Sequence, residues 1–292
     1  MSPQQSSAND TQQSGLVLGV LEDLPGHYSG EPDFRAVRVL FRKVGGEWRA
    51  FPTKTENQQS LKSLTKSYPG EVNWTIAFDG KYVGHLTSRV PDNFAWYSEI
   101  GLEKITSPGR VPTVGKKSEK FSGWDGGSVY RPLVAISKPN FRDPDDWKPS
   151  QPTPVQIGLV REGFRKRFPR ASNCKDPEEN VPRPWNYRDE DARIDSAYSS
   201  ASGWRLVELS LHGNACDGLQ IGDSPFEGQW FVIDPSGSVR FLGKDMWLVD
   251  AGDYDNDGRS EVLFSVSGYN EGGYRLFYSN FTKNADFLFF YH

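Results

Sequence analysis

Sulfur is scarce in this chain. Its 292 residues hold two cysteines and two methionines, too few for a scaffold stapled by several disulfides. The four histidines (His27, His85, His212, His292) cluster neither with one another nor with a Cys-x-x-Cys pair, so no zinc pattern is present. No apolar run approaches the about 18–20 residues that span a bilayer. The longest, Leu16 to Leu21 and Phe287 to Tyr291, are strand-sized. Against 38 acidic residues stand 34 basic ones, a net charge of −4. That balance supplies no basic field for nucleic acid and no acidic tail. No P-loop, nucleophile elbow or Gly-x-Gly-x-x-Gly opens a helix.

Aromatic residues are what the chain has in quantity: 9 Trp, 12 Tyr and 18 Phe. Each buries a large area, so a core is built from rings although only 36% of residues are hydrophobic. With 29 Gly and 20 Pro, turns are frequent. This composition points to many short strands.

Residues 1–14 are Ser, Gln, Asn, Asp and Thr almost throughout and are expected to be a disordered polar tail. Order should begin at Gly15, and residues 15–292 read as a single domain. Leu16 to Glu22 reads as a buried strand. Ala36 to Val44 turns through Gly45-Gly46 into Glu47 to Phe51, and Val72 to Phe78 turns through Asp79-Gly80 into Tyr82 to Leu86. Both are hairpin signatures. Trp96 to Ile105 and Val129 to Ser137 are further strands, separated by a Gly/Ser/Lys-rich loop over 106–127. Val160, Phe164 and Phe168 recur at helical spacing before Pro169, which predicts one helix near 155–168. Its other side carries Arg161, Arg165, Lys166 and Arg167, either a solvated face or an anion-binding patch. Strands resume at Trp204 to Leu211, Trp230 to Ile233, Val239 to Leu242, Trp247 to Ala251, Val262 to Val266, Tyr274 to Tyr278 and Phe287 to Tyr291.

Weak internal repetition joins the two halves. The hairpin from Trp74 to Leu86 aligns with that from Trp230 to Leu242, and each precedes an aromatic-led strand. The tryptophans lie 156 residues apart, three units of 52. Four-stranded units at a period of roughly 40–50 residues mark propeller blades, and the last 46 residues, from Trp247, form one such unit. The fold expected is therefore all-β, a small β-propeller of about five blades with the helix inserted.

The sharpest chemical signal is Asp253-Tyr-Asp255-Asn-Asp257-Gly258-Arg259-Ser-Glu261. Four carboxylates in nine residues repel unless a cation sits among them, and a hard cation taking six to eight oxygen ligands, calcium above all, fits best. The string opens like an EF-hand loop, but position 12 is Phe264 and both flanks read as strands. Residues Ala251 to Val262 resemble the calcium loop of FG-GAP/VCBS repeats, the blades of integrin-α-type propellers. The resemblance implies Ca2+ held by the side chains of Asp253, Asp255, Asp257 and Glu261 and by the carbonyl of Arg259. Gly258 would take the left-handed turn. Glu261 stands where that family more often has aspartate, and no second loop of this kind occurs in the chain.

Cys174 and Cys216 lie 42 residues apart in polar, turn-like settings. Those settings favour one disulfide in an oxidising compartment over two buried thiols. Together with the loop they favour export, to the periplasm or the extracellular space, with the polar tail as a spacer rather than a cytosolic terminus. The expected function is a non-catalytic binding or scaffold module. It would be monomeric, without a membrane span or nucleic-acid partner, with a protein or carbohydrate ligand on a propeller face. The alternative is a carbohydrate-active enzyme with carboxylates in the propeller channel. Arg188 to Asp195, beside Trp185 and Tyr187, carries the residue types a glycosidase needs, although salt-bridged surface charge accounts for them too.

Overall fold

The computed structural model describes residues 15–26, 31–54, 59–107, 120–121, 131–173, 183–213, 215–216 and 226–290. The polar tail and most of the 106–127 loop lie outside these. So does the pairing of Cys174 with Cys216, since of Cys216 only the backbone is described. The described residues are all-β apart from two α-helices and two single 3-10 turns.

The first half holds Val17–Leu24 (β1), Phe34–Val44 (β2), Glu47–Ala50 (β3), the short helix Gln59–Leu64 (α1), Glu71–Phe78 (β4), Lys81–Arg89 (β5), Leu102–Ile105 (β6) and Leu133–Ile136 (β7). Two turns seed it. Gly45-Gly46 and Asp79-Gly80 all have positive φ (59°, 79°, 53° and 71°), which matches the twist of a two-residue hairpin. Every pairing is antiparallel, in the order β1-β7-β4-β5-β6-β2, and β2 pairs back onto β1. Six strands thus close into a barrel without a free edge. β2 is long enough to carry β6 along residues 36–38 and β3 along 41–44.

The strand expected over Trp96 to Ile105 forms only in its second half. Glu99 accepts the N–H groups of Ala95 (2.7 Å) and Trp96 (3.3 Å) and winds Tyr97–Glu99 into a 3-10 turn. Such side chain–backbone bonds compete with a strand ladder.

The second half holds Lys148–Pro149 (β8), helix Pro154–Arg167 (α2), Ala171–Asn173 (β9), Arg183–Trp185 (β10), Ala192–Ser199 (β11), Arg205–Leu211 (β12), Ala215–Cys216 (β13), Gln229–Ile233 (β14), Val239–Gly243 (β15), Met246–Gly252 (β16), Glu261–Gly268 (β17), Glu271–Tyr278 (β18) and Lys283–Phe290 (β19). β15-β14-β12-β11-β8 make a five-stranded sheet, and β16 to β19 a four-stranded meander. A capping box of Thr153 and Gln156 starts α2 where the sequence predicts it.

The meander lies between the other two bodies. Val249, Leu263, Tyr274, Leu276 and Phe287 join the barrel core. Met246, Leu248, Val262, Phe264 and Phe277 alternate with them and join Leu206, Trp230 and Val232 of the five-stranded sheet. β17 is therefore buried on both faces from Glu261 to Ser265, hence its continuous apolar run. The opposite face of the five-stranded sheet, with Val207, Leu209, Phe231 and Ile233, is covered by Val160 and Phe164 of α2.

This stack of barrel, sheet, sheet and helix differs from the expected ring of five like blades. The two tryptophan hairpins fall in unlike settings: Trp74 belongs to the closed barrel and Trp230 to the five-stranded sheet. Hairpins share local pattern whatever sheet they join, because turn and alternation are local and partner strands are not. β11 lies in a stretch that reads as surface charge, since Arg193 and Asp195 on its open side mask the buried Ala192, Ala197 and Tyr198.

Candidate metal centre

The acidic loop joins β16 to β17, whose last pair is Gly252 opposite Glu261. Its middle is shaped by its own side chains. Asp255 Oδ1 accepts the Asp257 N–H (3.0 Å), Asp257 Oδ1 accepts the Arg259 N–H (2.8 Å), and Asp253 Oδ2 accepts the Gly258 N–H (3.1 Å). Asp at alternate positions favours these local turns. Asn256 (φ 64°) and Gly258 (φ 87°) take the left-handed region, as Gly258 was expected to. Tyr254 turns inward into the barrel core and stacks on Phe141 with ring centroids 6.0 Å apart.

Three of the five predicted ligands converge. Carboxylate oxygens of Asp253, Asp255 and Glu261 lie within 4.8 Å of one another. Asp253 is wholly buried, Glu261 nearly so, and Asp253 Oδ1 has no hydrogen-bond partner. A buried acceptor in that state costs about 1–3 kcal/mol, more if charged. Glu261 Oε2 accepts the Tyr254 N–H at 2.7 Å. Burial, reinforced by the negative charge of Asp255, pushes the Glu261 carboxyl up to about 8. The Asp257 side chain is exposed and its carboxylate does not join the three.

Cations also gather here. Lys43, from β2 of the barrel, pairs with Asp255 and lies over the rings of Trp48 and Tyr278. Lys138 Nζ donates to the Asp253 carbonyl (3.1 Å), and burial holds its ammonium below the usual lysine range against the pull of Asp253, Asp255 and Glu261. Arg142 Nε lies 3.6 Å from Asp253 Oδ2. No sequence signal marks these three, which lie more than a hundred residues from the loop in the case of Lys138 and further for Lys43.

The segment before β8 braces the loop from below. Ser260 Oγ donates to Asp143 Oδ1 (2.6 Å), the Ser260 N–H to Asp145 Oδ2 (3.0 Å), and the Asp253 N–H to the Arg142 carbonyl (2.9 Å). Gly252 is required for this fit. A Cβ there would meet the Phe141 ring at 2.4 Å. Gly252→Ala is expected to destabilise by about 1–3 kcal/mol, typical of overpacking. Adding Phe141→Leu should recover much of that loss in urea melts, and failure to recover would place the strain elsewhere.

The basic side of α2 is already engaged. Arg161 donates to the Ala192 carbonyl (3.0 Å), Arg165 to the Tyr187 carbonyl (3.2 Å) and Asp189 (2.6 Å), Lys166 pairs with Glu162, and Arg167 lies over Phe241. The arginine contacts tie the helix to β11, β15 and the turn before β11, Lys166 pairs within the helix, and this engagement argues against an anion site. Among the described residues, no helix is long and apolar enough to cross a membrane.

Comparisons of the chain with family models, with curated proteins and with solved structures found no match.

Proposed function

We propose that the chain is an exported binding module whose loop 253–261 holds one calcium ion and so fastens the meander to the barrel. The observation that carries this reading is Asp253 Oδ1, buried without a partner beside Asp255 and Glu261. A hard cation bound by these three carboxylates would satisfy it. The FG-GAP/VCBS resemblance adds Asp257 and the Arg259 carbonyl as further oxygens. It is kept for the single four-stranded unit β16 to β19, whose meander and loop position suit one blade. Loop acids and nearby cations nearly balance, so the affinity expected is that of extracellular calcium modules, with Kd about 10⁻⁴–10⁻³ M. That range suits a periplasmic or extracellular protein.

The test is thermal melting with 5 mM calcium and with chelator. At about tenfold excess over Kd, calcium should add roughly 1.4 kcal/mol, which raises Tm by about 3 °C in a chain of this size. Asp253→Asn should remove that rise. Identical melts of the wild type in calcium and chelator would sink the proposal.

A further inference from the structure

A second polar cluster lies away from the metal loop, in a cavity of about 420 Å³ between the ends of β12 and β14 and the start of β16. It is lined by four acidic residues (Asp195, Glu208, Glu227, Asp245), two other polar residues (Ser210, His212) and Trp247. Among the described residues, neither lysine nor arginine lines it.

The groups are built into place. A register shift between Ile194 and Ser196 puts Asp195 on a β-bulge, a device that re-aims a side chain. Asp195 then accepts from Ser210 Oγ on Oδ2 and stands 3.1 Å from His212 Nε2 on Oδ1. The Gly228 N–H donates to Ser210 Oγ (2.9 Å), and Ser196 Oγ donates to Glu208. His212 and Ser210 are both bonded to the Asp195 carboxylate, so no imidazole stands between the serine and the acid. This order differs from a nucleophilic triad.

We infer that this cavity binds a cationic amine or guanidinium group, with the carboxyl groups as acceptors and Trp247 as the face the cation lies against. The wall offers several acceptors and an aromatic residue; Lys244 already pairs with one of them, Asp245, so the acids offered to a ligand are Asp195, Glu208 and Glu227. A small concave site with a few fixed polar groups and an aromatic wall is what ligand pockets share, and an indole face attracts a cation. A neutral sugar would satisfy the hydroxyl and carboxyl groups without needing three acids. The inference names a ligand class for the binding module proposed above, and it does not depend on calcium in the loop.

Glu208 supplies a signature. Burial, aided by the negative charge of Asp195, pushes its carboxyl up to about 7. A cation beside it favours the ionised form, so binding near pH 6 should release a proton. Asp195, His212, Glu227 and Asp245 share the cavity. Of the neighbouring bases, Lys244 is held by Asp245 (3.0 Å) and Arg275 by Asp286 (2.6 Å).

The experiment is calorimetric titration of the full chain with 1,4-diaminobutane and with argininamide. It is run at pH 6 and pH 8, in two buffers of different ionisation heat, with calcium and with chelator. Saturable binding is expected, about tenfold tighter at pH 8 than at pH 6, with proton release at pH 6. Glu208→Gln keeps an acceptor for Ser196 and should weaken binding about tenfold or more and lower the proton release. Asp195→Asn, at a more exposed position, is the second variant should the first fold poorly, and Trp247→Ala should weaken binding several-fold. No saturable heat with either probe overturns the inference. So does binding indifferent to these variants, or an uncharged oligosaccharide binding with the same sensitivities. A failure here leaves the calcium melt unaffected, and a failed calcium melt leaves this titration unaffected, so the two readings fall separately.

Discussion

Arg131→Met is expected to cost about 3–5 kcal/mol in urea denaturation near pH 8, the usual effect of removing one partner from a buried ion pair. Arg131 lies almost wholly buried where the barrel meets the meander. Its guanidinium pairs with Asp79 at the β4–β5 turn, reaches Asp250 Oδ2 of β16 at 3.4 Å, and lies 3.8 Å over the Phe78 ring. Asp250 has no exposed surface and also accepts the N–H groups of Ala251 (2.8 Å) and Gly80 (3.0 Å). Methionine fills similar volume but leaves the Asp250 charge uncompensated, against a total stability of only about 5–15 kcal/mol. Burial already raises Asp250 to about 6, and Arg131 is the chief influence pulling it back. Without Arg131 the carboxyl climbs further and is neutral at pH 5. The cost should therefore shrink at pH 5, and an equal loss at both pH values would mean that packing, not charge, is what Arg131 supplies.

The second large effect is a loss of stability as pH rises. Glu103 on β6 is buried at 1% exposure. Its Oε2 accepts Ser88 Oγ (2.5 Å), which accepts Trp74 Nε1 (2.6 Å), and its Oε1 has no partner. Burial pushes the carboxyl up to about 8. A group whose pKa is higher folded than unfolded contributes stability that is complete below the unfolded value, near 4.5, and is lost as pH climbs through the folded value. The window is thus about pH 4.5 to 8. The full shift corresponds to as much as roughly 5 kcal/mol. Glu208, Asp250 and Glu261 are raised too and act in the same direction. Glu103→Gln should match the wild type at pH 5, exceed it at pH 9, and flatten the slope between without abolishing it. Chemical denaturation across that range measures this, and parallel slopes for the two proteins would rule Glu103 out as a source.

How far the sequence reaches differs from one feature to the next. Asp79-Gly80 and Gly45-Gly46 mark hairpins because the turn conformation depends on the residues in the turn. Val160, Phe164 and Pro169 mark α2 because helical period and its breaker are local. The acidic loop announces Asp253, Asp255 and Glu261 by spacing alone. Asp257 sits in the same pattern yet points to solvent, since its side chain caps the Arg259 N–H. β11 was hidden by the charges on its open side.

By itself, then, the sequence determined that the chain is all-β with one substantial helix, where its hairpins turn, and where carboxylates crowd a β-turn. Only the tertiary structure decided that β1 pairs with both β2 and β7 to close a barrel. It also decided that β17 of the meander is buried on both faces, that Lys43, Lys138 and Arg142 surround the loop, and that Asp195 and Glu208 share a cavity. The physical reason is range. Turn chemistry and hydrophobic period act over a few residues and are written in the order of the chain. Strand partnership and the local electric field are set by groups that become neighbours only after the chain has closed on itself.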